Sequence, residues 1–126
     1  ALEWKRQGVA RSIGVTCNAI DLLERLVARR VTPDVLTDQT SAHDPLMGYV
    51  PAGVSLAQAA ELRQRDPAEY QRRSLASMVR HVELMNELQR RGADTFDYGN
   101  NLRGYAKEAG CDHAFEFEGF VPKYVR

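Results

Sequence analysis

Two short β-branched runs flanking one well-capped helix constrain this chain more than any other feature. Arg11 to Cys17 reads RSIGVTC, carries Ile13, Val15 and Thr16, and is too short for a buried helix, so it is predicted as a strand. Asn18 follows as a good N-cap, with Ala19, Leu22, Leu23, Leu26 and Val27 at helical spacing behind it. Asp21 suits the positive end of that helix, and Arg25, Arg29 and Arg30 suit its negative end. After a turn at Val31-Thr32-Pro33-Asp34, Val35-Leu36-Thr37 is a second predicted strand. Strand, helix and strand within about 27 residues is the length of a βαβ unit, with parallel, neighbouring strands and a right-handed crossover. Both strand ends then lie on one side of the sheet, where open α/β sheets bind ligands.

Asn18 stands at one of those ends and Asp38-Gln39 at the other. Between Thr37 and Pro51 runs TDQTSAHDPLMGYVP, whose Asp, Ser, Pro and Gly residues favour turns for separate stereochemical reasons. A structureless connection of about fifteen residues is usually functional or disordered. Leu46, Met47, Tyr49 and Val50 anchor this one, so an ordered loop on the ligand side of the sheet is expected.

Further along, Ser55 to Gln58 is a capping-box pattern opening a short helix. Asp66, Pro67 and Glu69 start a second, longer helix. Its apolar face is Leu75, Met78, Val79, Val82, Met85 and Leu88, and Arg90-Arg91-Gly92 ends it. Met78 and Met85 read as core. His81, beside that face, reads as a solvent or capping residue. Asp94 to Tyr98 is a third predicted strand, Leu102 to Ala109 a helix capped by Gly110, and Ala114 to Phe117 a fourth strand that Gly119 breaks.

The length, 126 residues, suits one domain spanning residues 1–126. Seventeen basic residues balance seventeen acidic ones, which argues against a general electrostatic grip on nucleic acid or an anionic membrane. No apolar run approaches the roughly 20 residues that span a bilayer. Cys17 and Cys111 lie far apart, which suggests reduced thiols and a cytoplasmic protein. The N-terminus lacks a signal-peptide pattern and does not begin with Met, so the chain reads as part of something longer.

Ser41, His43 and the flanking aspartates do not make a catalytic triad, because triad members converge from separated segments and no G-x-S-x-G elbow exists. His43, His81, His113 and the cysteines show no zinc-ligand spacing, so no metal is expected. The G-x-G-x-x-G fingerprint is missing as well. What remains is a polar rim: Asn18, Gln39 to His43, and Tyr98 with Asn100. It suits a polar small ligand without naming one.

Three stretches carry a resemblance: CNAIDLLERLVARRVTPDVLTDQTSAHDPLMGYVPAG, MVRHVELMNELQRRGADTFDYGNNLR and AFEFEGFVPKYV. Together they resemble consecutive parts of urocanate hydratase (urocanase) over nearly the whole chain, with TDQTSAHDP and FDYGNN the most specific. Departures are Cys17 in place of Gly, Met47 in place of Asn and Glu118 in place of Pro. The resemblance implies a three-layer, Rossmann-like α/β domain with a short, mostly parallel sheet flanked by helices. It also implies addition of water to urocanate to give imidazolonepropionate in histidine degradation, with tightly bound NAD+ as an electrophile. NAD contacts then fall on Asn18, Ala19, Gln39, Thr40, Ser41, Ala42, His43, Tyr49, Val50 and Tyr98. The family's glycine-rich phosphate loop would precede residue 1 and its active-site cysteine would follow residue 126, so Cys111 is not that cysteine. The implied partners are NAD+, urocanate, the remaining domains of the same chain and a second copy in a homodimer, with the excised segment inactive alone. The competing reading is a non-catalytic α/β small-ligand-binding or interaction module on the same scaffold.

Overall fold

The computed structural model describes residues 1–125. A three-stranded parallel sheet, β1 (Val35–Asp38), β2 (Asp94–Asp97) and β3 (Glu118–Gly119), runs in sequence order. Six helices accompany it: α1 (Leu2–Arg6), α2 (Ala19–Ala28), α3 (Leu56–Arg65), α4 (Pro67–Arg90), α5 (Leu102–Glu108) and α6 (Phe120–Tyr124). The expected class, a short parallel α/β sheet of Rossmann-like character, is therefore what the chain adopts.

The helix starts follow from local chemistry. Asn18 accepts from the Ile20 N–H at the head of α2. Ser55 and Gln58 close a reciprocal capping box on α3, and Asp66 accepts from the Glu69 N–H ahead of Pro67 at the head of α4. Both α4 and the sheet bury their apolar sides against each other. Met78, Val82, Met85 and Leu88 are completely buried, which contributes about 1.5–3 kcal/mol each. From its central position α4 packs on α2, α3, α5 and β2.

The sheet has two unlike faces. Leu36, Asp38, Thr95 and Asp97 alternate onto the α4 side, where all but Leu36 are nearly inaccessible. Val35, Thr37, Asp94 and Phe96 point the other way, where α6 lies on Phe96 through Phe120 and Tyr124.

Three sequence expectations fail. Arg11 to Cys17 forms no strand, so the sheet has three strands among the described residues and the first βαβ unit is absent. β-propensity favours an extended backbone, whereas a strand also requires a ladder partner. Ala114 to Phe117 is a turn; Ala114 and Phe117 are buried while Phe115 and Glu116 are exposed, a spacing of three instead of two. The strand forms one step later, at Glu118–Gly119. His81 is not a solvent or capping residue: it is 2% exposed. Tyr70, Ser74, Ser77, His81, Leu84 and Leu88 form one continuous inward stripe on α4, and His81 sits in its middle.

Candidate functional site

The register that pairs Asp38 with Asp97 puts two buried carboxylates side by side at the C-terminal edge of the sheet. A buried charge is costly unless paired and hydrogen-bonded. Asp97 takes Arg103, whose Nε donates to Oδ2 at 2.5 Å and whose Nη1 also donates to the Phe117 carbonyl at 2.9 Å. One ion pair thereby ties β2, α5 and the approach to β3 together. Asp38 is satisfied differently. It accepts from the Thr40 N–H and hydroxyl at 3.2 and 3.0 Å and from the Asn100 side-chain amide. Its Oδ1 also lies 3.6 Å from His81 Nε2.

From Asp38 the chain enters the polar loop, which closes on itself tightly. Asp44 accepts from the backbone N–H groups of Leu46 and Met47 at 2.8 and 3.0 Å, and these donors hold its carboxyl below the usual range. The Asp44 carbonyl then receives the N–H groups of Gly48 and Tyr49. Gly48 is required by space here, since a Cβ would lie 2.4 Å from the Ser41 carbonyl oxygen.

Tyr49 is held at both ends. Its carbonyl accepts from the Tyr70 hydroxyl at 2.8 Å, and its own hydroxyl lies 3.1 Å from His81 Nδ1. Burial, with Asp38 adding to it, pushes the Tyr49 phenol well above its ordinary value. Burial likewise lowers the His81 imidazole, against the opposing pull of Asp38. A neutral His81 therefore accepts from the Tyr49 hydroxyl at Nδ1 and carries its proton at Nε2, towards Asp38.

These elements enclose a cavity of about 430 Å³. Thr16 to Ala19 and Val54 to Leu56 line it. So do Thr40, Ser41 and Gly48 to Val50. Of the residues singled out in the sequence, Asn18, Ala19, Thr40, Ser41, Tyr49 and Val50 meet here. The Asn18 amide already serves the fold, since it caps α2 through Oδ1 and donates to the Val50 carbonyl at 3.1 Å. Ser41 is the exposed hydroxyl of the wall.

The other four lie elsewhere. Gln39 is exposed just beyond β1, outside the cavity lining. Ala42 is fully buried in the core. His43 is exposed, and its carbonyl accepts from the Tyr105 hydroxyl at 3.3 Å. Tyr98, 52% exposed, stacks on Phe120 with ring centroids 4.8 Å apart. Gln39 and Tyr98 share the C-terminal edge with the cavity, because Asp38 and Asp97 are in register.

Sequence reasoning missed Asp38, His81 and Gly48 as site-building residues. For His81 the readable signal was the α4 stripe, had its i+3, i+4 spacing been followed through polar residues as well as apolar ones. Among the described residues no cluster of three metal-ligating side chains occurs, and no helix is long and apolar enough to cross a membrane. A family model described as the urocanase Rossmann-like domain matches residues 1–124. A match over nearly the whole described length assigns the fold and the lineage together: the chain belongs to the urocanase family.

Proposed function

We propose that this chain is the NAD-binding part of a urocanate hydratase, a hydro-lyase that adds water to urocanate to give imidazolonepropionate in histidine degradation. The observation that carries the reading is the cavity at the C-terminal edge of a parallel sheet, walled by Asn18, Ala19, Thr40, Ser41, Tyr49 and Val50. Open α/β sheets bind nucleotides at this edge. Its volume falls within the span of small-ligand and cofactor pockets, roughly 300–1,000 Å³.

The donor set suits the cofactor. Ala19 begins the ten-residue helix α2. N–H groups in a first helical turn lack intrahelical partners and, with the dipole, favour a phosphate. Thr40 and Ser41 present a polar wall suited to ribose, and Val50, Val54 and Leu56 present an apolar one suited to a base. When bound, NAD+ supplies an electrophilic ring carbon for the substrate. The residues lining the cavity would bind and orient it, with the Tyr49–His81 hydrogen bond supporting the loop behind them.

The membership in the urocanase family supports the lyase assignment, and the two free cysteines suit a cytoplasmic protein. Partners in this reading are NAD+, urocanate, further domains of the same chain and a second copy in a homodimer. The test uses the full-length protein. Bound NAD+ per subunit is measured after extensive dialysis, and loss of urocanate absorbance is followed with and without added NAD+. Stoichiometric cofactor together with urocanate loss is the expected result. Cofactor-free protein that leaves urocanate untouched even when NAD+ is supplied would favour a non-catalytic module.

A further inference from the structure

A loop that forms one wall of a ligand cavity must keep its shape when the ligand leaves. Here both arms of the loop, the one leaving β1 and the one returning through Tyr49, converge on a single side chain of α4. His81 Nε2 lies 3.6 Å from Asp38, whose carboxylate gathers the Thr40 N–H and hydroxyl. His81 Nδ1 lies 3.1 Å from the Tyr49 hydroxyl. Thr40 and Tyr49 both line the cavity, while His81 does not. Among the described residues no other side chain meets both arms: of the loop, Tyr70 and Ser74 bond the Tyr49 carbonyl, and Asn100 bonds Asp38 and Thr40.

We infer that His81 is a positioning residue for the cofactor cavity: hydrogen-bonded to the Tyr49 hydroxyl and facing Asp38, it sets where Tyr49 stands relative to Thr40 and Ser41 in the cavity lining. The inference rests on the reading of the cavity as an NAD+ site. Side-chain chemistry explains why histidine fills the role. A neutral imidazole can accept at one nitrogen and donate at the other, so Nδ1 takes the Tyr49 hydrogen bond while Nε2 faces Asp38 at 3.6 Å, beyond hydrogen-bond length. Its position is 2% exposed, in the middle of a 24-residue helix. An aliphatic side chain there would fill the volume, yet would leave the Tyr49 hydroxyl without an acceptor.

Replacement separates positioning from filling. In the full-length protein, His81→Asn keeps an amide where Nδ1 now lies, whereas His81→Leu keeps bulk and loses the acceptor. Both variants lower the melting temperature, since both disturb a packed site. The NAD+ dissociation constant is expected to rise roughly 3-fold to 10-fold in His81→Leu, the worth of about one net hydrogen bond. In His81→Asn it should return to within about 3-fold of wild type, as expected for an acceptor retained. Tyr49→Phe reads the same bond from its other side. It should match His81→Leu, and it keeps the test open should His81→Leu fail to fold. Equal NAD+ affinity in wild type and Tyr49→Phe, or a His81→Asn as weakened as His81→Leu, would overturn the positioning role while leaving the NAD+ site in place. Wild-type protein that binds no NAD+ would overturn both.

Discussion

Two irregular segments, one before α2 and one after β1, are opposites. Residues 39–50 have the composition of a loose surface loop, yet hydrogen bonds within the loop and from neighbouring elements tie them down. Asp38 holds Thr40, Asp44 holds Leu46 to Tyr49, and Tyr49 is gripped by Tyr70 and His81. Residues 10–17 have the composition of a strand, yet each is exposed and none takes part in a ladder. Order follows satisfied hydrogen bonds and buried contacts, not local propensity. Polar residues with short side chains can supply the first to a loop. A β-branched run without a neighbouring strand obtains neither.

Substitutions can break this contrast. The largest effect is expected at Gly48. Gly48→Ala drives a Cβ into the Ser41 carbonyl, and backbone cannot yield as a side-chain tip can. A destabilisation of about 3 kcal/mol is expected from such overpacking, measured by urea unfolding, with NAD+ retention lost in parallel. Asp38→Ala comes next. It strands Asn100 and Thr40 donors that now share one carboxylate. About 2 kcal/mol should be lost, in line with buried donors left unpaired, and amide exchange at Thr40 should quicken.

Acidification gives a smaller effect and sharpens the comparison. Burial holds the His81 pKa below its ordinary value of 6.5, with Asp38 of β1 and Tyr49 of the loop as the titratable groups facing it. The unfolded chain therefore binds the proton first. Stability from neutral His81 is fully present above pH 6.5 and is lost as pH falls from there through the lower folded value. Amides of the loop should lose protection over that window, and His81→Asn should flatten the response. Residues 10–17 should show no such change, being unprotected throughout. The smallest effect is expected for Ile13→Ala and Val15→Ala. Both side chains are at least half exposed, at 50% and 64%, so each should shift stability by less than about 0.5 kcal/mol.

The same contrast marks where the sequence could be read. Helix starts were legible because each is a local chemical event: Asn18 bonding Ile20, Ser55 paired with Gln58, Asp66 ahead of Pro67. The C-terminal edge of the sheet was legible too, since β1 and β2 fall where β-rich runs precede polar ones. Long-range partners were not. His81 finds Tyr49 32 residues away and Asp38 on another element, and no pattern around position 81 announces either. The strand at 118–119 escaped because Ala114 and Phe117 are apolar for a turn's reason, with one side facing the core. Within the site, Asn18, Ala19, Thr40, Ser41, Tyr49 and Val50 of the expected residues line the cavity, whereas Gln39, Ala42, His43 and Tyr98 do not, and His81, which supports Tyr49, was not anticipated.

The most direct measurement is a crystal structure of the full-length protein with NAD+. The dinucleotide is expected in the cavity between Thr16–Ala19 and Gly48–Val50, with Ser41 against it and the Tyr49–His81 hydrogen bond unchanged. A dinucleotide bound elsewhere on the protein, with this cavity holding only solvent, would contradict the assignment of the loop as a cofactor wall.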